Sequence, residues 1–288
     1  VKHYANKQGI LLMGDLPVLV SKDSADVWAK SELFDLHYSA GAPPDMYCAY
    51  GQRWGMPIQN WDAVRSSNFR YLIEKLTYMD HFFDMLRIDH VIGLFRIWAI
   101  PVEEPIENQG INGVFIPSDE KIWNLQGEEI LSVMNQHSSC LLCAEDLGII
   151  PFACPITLKK LGIPGYEVQR WKKHYGTDYS FIPCAEYRQL AIAALSTHDT
   201  SFWIEWWKHQ AGTIEKELFE LKCRVLNLDT EYLINRLFEK STLRPDRLQW
   251  KQEINSIEAL AGIIGKDVET IRDIIEIYRD TFDEKAKL

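Results

Sequence analysis

Four apolar runs of this chain end on acids. "GILLMGDLP" closes on Asp15, "DMLRIDH" on Asp89, "CLLCAEDLG" on Glu145 and Asp146, and "AIAALSTHD" on Asp199. Short, almost continuously apolar runs read as strands covered on both faces, which is the habit of parallel sheets. Five such strands are expected, at 10–15, 84–89, 140–145, 165–170 and 192–198. Helical periods separate several of them. Residues 63–84 set Phe69, Leu72, Ile73, Leu76 and Met79 on one helical face that leads into the second strand. Between 16 and 62 the pattern gives way to Pro, Gly and aromatic residues, as an excursion above a sheet would. From 203 to 288 it returns as almost unbroken helix, ending on a face of Val268, Ile271, Ile274, Ile275 and Tyr278. This alternation predicts an α/β fold with parallel strands and helical crossovers.

Composition narrows the partners. A chain of 288 residues with 47% hydrophobic content can bury a large core. Its formal charge of −10, without clusters of Lys and Arg, offers no basic face to nucleic acid or to an anionic membrane, so a neutral polar ligand is expected. No apolar run has the length of a membrane helix, and no signal-like segment opens the chain, which predicts a cytoplasmic protein. The six cysteines are scattered. Cys140 and Cys143 make a C-x-x-C, but with no second pair or histidine at metal spacing they are expected in the core; neither a metal nor a cofactor is expected.

In parallel α/β folds ligands gather at the carboxyl ends of the strands, so acids there suggest a site, although any one of them could simply cap the next helix. Arg87 and Asp89 are two apart on a strand and share a face. A guanidinium beside a carboxylate keeps it ionised, which suits a nucleophile and would equally suit a structural ion pair. Glu145 ends a run of Leu, Leu, Cys and Ala, where partial desolvation raises a carboxyl towards the range of a general acid. Two carboxylates in different protonation states are what glycoside chemistry with retention requires, one attacking the anomeric carbon while the other protonates the departing oxygen. His198 and Asp199 add a donor and an acceptor for sugar hydroxyls.

In order along the chain, "GDLPVLVSKDSADVW", "GAPPDMYCAYGQRWGMPIQNW", "LRIDHVIGLFRIWAIP", "LLCAEDLG" and "LSTHDT" resemble the 4-alpha-glucanotransferases, amylomaltase or disproportionating enzyme, which are relatives of the α-amylases. The resemblance spans about residues 5–207. It implies a (β/α)8 TIM-type barrel that moves α-1,4-glucan segments between maltooligosaccharides by retaining double displacement, with starch or glycogen-type α-glucans as further substrates. It assigns Asp89 as nucleophile, Glu145 as acid/base and Asp199 as the transition-state carboxylate. Asp15, Arg87 and His198 match substrate-binding positions, and Asp146 is expected to be the structural member of its pair.

The "PPDMYCAYGQRWG" loop resembles a lid over the acceptor side. Tyr47 and Trp54 are expected against glucose rings, Trp61 as packing, Trp203, Trp206 and Trp207 as core, and His90 as structural. Met46 and Met56 depart from the aromatic and the Asn common at those family positions. By strand count the chain holds barrel strands three to seven: residues 1–202 as a partial catalytic barrel and 203–288 as a helical region of the same barrel. A plain α-glucan hydrolase, or a catalytically silent glucan-binding remnant, would carry the same motifs.

Overall fold

The parallel register of three strands positions the first functional side chains. In the computed structural model, which describes residues 1–240 and 244–288, strands β1 (Met13–Leu16), β4 (Met85–Ile88) and β7 (Leu141–Ala144) form a parallel sheet in the order β1-β4-β7. Asp15 stands opposite Arg87, and Arg87 opposite Cys143; one residue on, Leu16, Ile88 and Ala144 are in register. Alternation therefore divides the sheet into two faces. Leu16, Leu86, Ile88, Leu142 and Ala144 are buried with Leu72 and Leu76 of helix Arg70–Asp80 and with Ile130, Leu131 and Met134 of helix Glu120–His137. On the other face stand Asp15 and Arg87, with Met13 and Leu141 about half exposed. Gly14 lies where a Cβ would fall 2.4 Å from the Phe83 ring, so only glycine lets β1 seat there.

Residues 34–42 and 52–59, expected as an irregular excursion, are strands β2 (Phe34–Ala42) and β3 (Gln52–Gln59). They join β5 (Ile97–Pro101) and β6 (Val114–Ile116) in an antiparallel sheet of order β3-β2-β5-β6. The helix expected over 63–84 is broken. Trp61–Ser66 and Arg70–Asp80 are separate helices, and between them Asn68 and Phe69 adopt left-handed φ of 53° and 56°. The run Ser66-Ser67-Asn68 favours side-chain to backbone bonding over helix continuation.

Only three of the five expected strands share one sheet. The other two, β8 (Gly165–Val168) and β9 (Ala191–Ala194), pair with each other. Short links nevertheless follow β7: Ala144 N–H donates to Pro164 O (2.7 Å) and Gly165 N–H to Leu190 O (3.3 Å).

The chain divides into two units, the first Val1–Pro44, Tyr50–Tyr166 and Arg188–Ile192, the second Asp45–Ala49, Glu167–Tyr187 and Ala193–Leu288. The second has its own core, with Phe219, Leu237, Phe238, Trp250, Leu260 and Ile274 fully or almost fully buried. Its 203–288 stretch is less helical than expected, because Thr213–Glu215 (β10) and Arg247–Gln249 (β11) form an antiparallel ribbon; residues 241–243 within that stretch lie outside the described residues. The terminal helix is Arg272–Thr281, with Ile274, Ile275 and Tyr278 buried as the periodicity predicts and Val268 half exposed. No helix among the described residues is long and apolar enough to cross a membrane.

Candidate active site

In the first unit one guanidinium gathers three carboxylates. Arg87 Nη1 bonds Asp15 Oδ1 at 2.7 Å and lies 2.9 Å from Asp89 Oδ1, while Nη2 is 3.2 Å from Glu145 Oε2. The Arg87 side chain is only 7% exposed. Burial works against its charge, but Asp15, Glu145 and Asp89 outweigh burial and hold its pKa above the usual arginine value. The strand ends supply the geometry. Asp89 N–H donates to Leu16 O and Glu145 N–H to Ile88 O, so each acid begins where its strand is still tied to the neighbour.

The three acids differ. Asp15 and Asp89 are substantially open to solvent, whereas the Glu145 side chain is 18% exposed. Burial pushes the Glu145 carboxyl up to about 7; the charge of Asp89 and a side-chain hydrogen bond with it add to the rise, against the pull of His90 N–H and Arg87. Near neutrality the cluster therefore pairs Glu145, poised to carry a proton, with a partner close enough to share it.

His90 contributes through its backbone. It sits in the left-handed region (φ 45°, ψ 51°), and its N–H donates to Glu145 Oε2 at 2.7 Å. Its imidazole is pushed down to about 4 by burial, helped by Arg96, and is neutral at ordinary pH. Trp54 meets that ring edge to face at 4.8 Å, and its Nε1–H donates to Gln52 Oε1 at 2.8 Å. Trp54 is partly buried against the cluster of Leu19, Ala40, Ile58, Ile97 and Ala99. Trp61 packs against two apolar clusters. Asp146 faces away from Arg87's group into a buried site of its own, accepting from Tyr166 N–H and from Arg188.

The remaining candidates belong to the second unit. His198 Nε2 lies 3.3 Å from Asp199 Oδ2, and both side chains are well exposed. Tyr47 is held by Asp45, whose Oδ1 accepts from the N–H of Tyr47 and of Cys48, and its hydroxyl lies 3.1 Å from that of Tyr175. Trp206 is buried with Phe181 and Ala211, with Trp203 and Trp207 packed against them. Cys140 and Cys143 are buried in the first unit, where their thiols, raised by burial, donate to the carbonyls of Phe83 and Leu86. Among the described residues no three His, Cys, Asp or Glu side chains are gathered as for a metal ion. The sequence reading passed over the His90 amide and Arg188; a left-handed residue directly after a strand acid has no distinct sequence mark, and Arg188 lies in no motif.

A cation-centred group of acids thus stands at the carboxyl ends of parallel strands, with one carboxyl raised to about 7 by burial. The 4-alpha-glucanotransferase family matches residues 1–258, and the chain belongs to that family. The chain is 42% identical over 207 residues to a 4-alpha-glucanotransferase of Chlamydia pneumoniae, covering 72% of this chain and 38% of the relative. It is 39% identical over 216 residues to that of Chlamydia caviae, covering 75% and 39%. The chain thus spans about two fifths of the length of these curated relatives. Among solved structures it is similar to amylomaltase from Streptococcus agalactiae in complex with acarbose, with a TM-score of 0.61, 25% identity, and coverage of 92% of this chain and 58% of that one.

Proposed function

We propose that the chain carries catalytic residues of a 4-alpha-glucanotransferase that moves α-1,4-glucan segments between maltooligosaccharides, starch or glycogen-type glucans with retention. The observation that carries this reading is the Arg87 group: one guanidinium touching Asp15, Asp89 and Glu145, with Glu145 raised to about 7. Asp89, beside the cation, attacks the anomeric carbon. Glu145 gives its proton to the glycosidic oxygen as the bond to the leaving chain breaks, then takes the proton of the incoming 4-hydroxyl as the glycosyl-enzyme is resolved. Asp15 and Arg87 hold sugar hydroxyls, Asp199 answers the oxocarbenium charge, and His198, Tyr47 and Trp54 bind substrate. No cofactor is needed.

The fold that accommodates these roles is a (β/α)8 barrel, with residues 1–202 and 203–288 parts of it. Three things support it: the likeness to an amylomaltase that holds acarbose, the hydrogen bonds that lead from β7 through Pro164 to Leu190, and the half-exposed Met13 and Leu141 on the Asp15 face, as apolar positions turned towards a barrel interior would be. We place the reaction in the cytoplasm. Incubating the full-length protein with maltotriose tests the reading. Longer and shorter oligosaccharides together support transfer, only shorter ones indicate a hydrolase, and binding without turnover indicates a silent remnant.

A further inference from the structure

Beside the acid/base candidate lies a second, buried polar assembly. Asp146 is 2% exposed, and each of its oxygens is engaged: Oδ1 accepts from Tyr166 N–H at 2.8 Å and from Arg188 Nη2 at 3.3 Å, and Oδ2 from Arg188 Nη1 at 2.6 Å. The same Nη2 reaches Tyr166 O at 2.9 Å. The guanidinium and one backbone amide thus close a ring around the carboxylate, and the ring ties the end of β7 to the start of β8. Gly165 shows how tightly it is built, since a Cβ there would fall 2.6 Å from Asp146 Oδ2 and 2.7 Å from Arg188 Nη2.

We infer that Arg188 is a positioning residue for Glu145, acting through Asp146. The inference rests on the reading of Glu145 as acid/base. Glu145 and Asp146 are consecutive, and the bond from Asp146 N–H to Ala144 O (3.0 Å) closes a tight three-residue turn centred on Glu145, so clamping Asp146 sets the peptide plane from which Glu145 projects. The stretch is also tied by Glu145 N–H to Ile88 O (2.9 Å) and Val91 N–H to Glu145 O (3.2 Å). These bonds fix where the strand end lies. The Asp146 ring fixes how it is turned. Without Arg188 the buried carboxylate would keep Tyr166 N–H and seek water, and Glu145 would turn with it.

The test exploits leaving groups. A misplaced acid/base slows donors that need a proton and spares those that do not. In the full-length protein, Arg188→Ala is expected to slow maltotriose disproportionation about 100-fold, the scale of a small misplacement of a catalytic group. First-turnover fluoride release from α-maltotriosyl fluoride should stay within about threefold, since fluoride departs with little proton assistance. Azide, which attacks the glycosyl-enzyme without a base, should restore turnover. Arg188→Lys, which keeps the charge but not the two-pronged contact, should recover part of the maltotriose rate. Equal loss on both donors, no azide rescue, or an unaffected Arg188→Ala would overturn the inference. If unmodified protein turns over neither donor, the transferase reading fails first and the inference falls with it.

Discussion

Two buried cations in this chain are surrounded by acids, and they do opposite things. In the second unit Lys173 Nζ lies 2.7 Å from Asp280 Oδ1 and 2.5 Å from Glu284 Oε1, and the other oxygen of Glu284 accepts from Gly212 N–H at 2.7 Å. All three side chains are at most 7% exposed. That group ties the segment around residue 173 to the end of the terminal helix and presents no carboxylate to a ligand. In the first unit Arg87 is as buried as those side chains, but Asp15 and Asp89 open to solvent and only Glu145 is largely covered. A count of charges does not separate the two groups; the exposure of their acids does, since only the Arg87 group leaves carboxylates open to a ligand.

The sharpest contrast comes from removing one member of each. Asp89→Asn is expected to lower glucan transfer by about 10³-fold or more, because the developing positive charge loses its anion, with the melting temperature nearly unchanged. Mass spectrometry of the protein incubated with a glucosyl fluoride checks the role directly, and an adduct that persists in the variant would remove Asp89 as nucleophile. Lys173→Met should do the reverse. It strands two buried carboxylates and is expected to cost about 3–5 kcal/mol of stability in urea unfolding. Burial already raises the Glu284 carboxyl, so without Lys173 it takes up a proton more readily. A folded-state pKa above the unfolded one means stability is lost as pH rises, so the deficit should be greater at pH 8 than at pH 5. An equal deficit at both would show that the loss is of packing rather than of charge pairing.

Much of the first site was legible because strand register is rigid. Once "GILLMGD", "DMLRID" and "CLLCAED" are strands, their terminal acids must meet at one end of a parallel sheet, and Arg87 must share a face with Asp15 and Asp89. The same logic failed for 63–84, where apolar spacing ran on through Ser66-Ser67-Asn68 and local turn chemistry overrode it. β2 and β3 were hidden because their register slips at Asp35, Ser39 and Gly41, so strict alternation never develops. The β10–β11 ribbon is too short to stand out from flanking helices. Arg188 could not be read at all: its partner is 42 residues away, and a lone arginine in "CAEYRQL" has no pattern.

A smaller effect separates the two groups through pH. Glu145 has a folded pKa of about 7 against an ordinary glutamate value, so its ionisation in the folded protein opposes stability. The sign follows directly: stability is highest below the unfolded pKa and declines as pH rises towards about 7. Glu145→Gln removes the titrating group. Relative to unmodified protein its stability should therefore improve between about pH 4.5 and 7, by on the order of 2–3 kcal/mol. Urea midpoints at several pH values measure it, and parallel pH curves for the two proteins would mean that Glu145 is ionised throughout. In the same variant, first-turnover fluoride release should outlast oligosaccharide cleavage, because only the latter needs the proton.

The smallest expected effect concerns what distinguishes transfer from hydrolysis, and it compares two tryptophans. Trp206 is 7% exposed in a cluster with Phe181 and Ala211, and its loss should cost stability without altering product ratios. Trp54 is only partly buried, stands edge to face with the histidine that follows Asp89, and is steadied by Gln52. A glycosyl-enzyme that is to be resolved by sugar rather than by water needs a flat apolar surface for the acceptor and a site from which water is kept out. Truncating Trp54 to Ala should remove about 1–3 kcal/mol of such stacking, by analogy with stacking on other π-faced ligands. Donor cleavage depends less on that surface than acceptor capture does. The ratio of released glucose to transfer product at fixed maltotriose should therefore rise several-fold in Trp54→Ala, while Trp54→Phe, which keeps a ring but loses the bond to Gln52, should rise less. If Trp54 only braces its strand, both products fall together as they would for Trp206→Ala. A constant ratio in a Trp54→Ala protein of unchanged melting temperature would show that the ring is packing and that acceptor selection lies elsewhere.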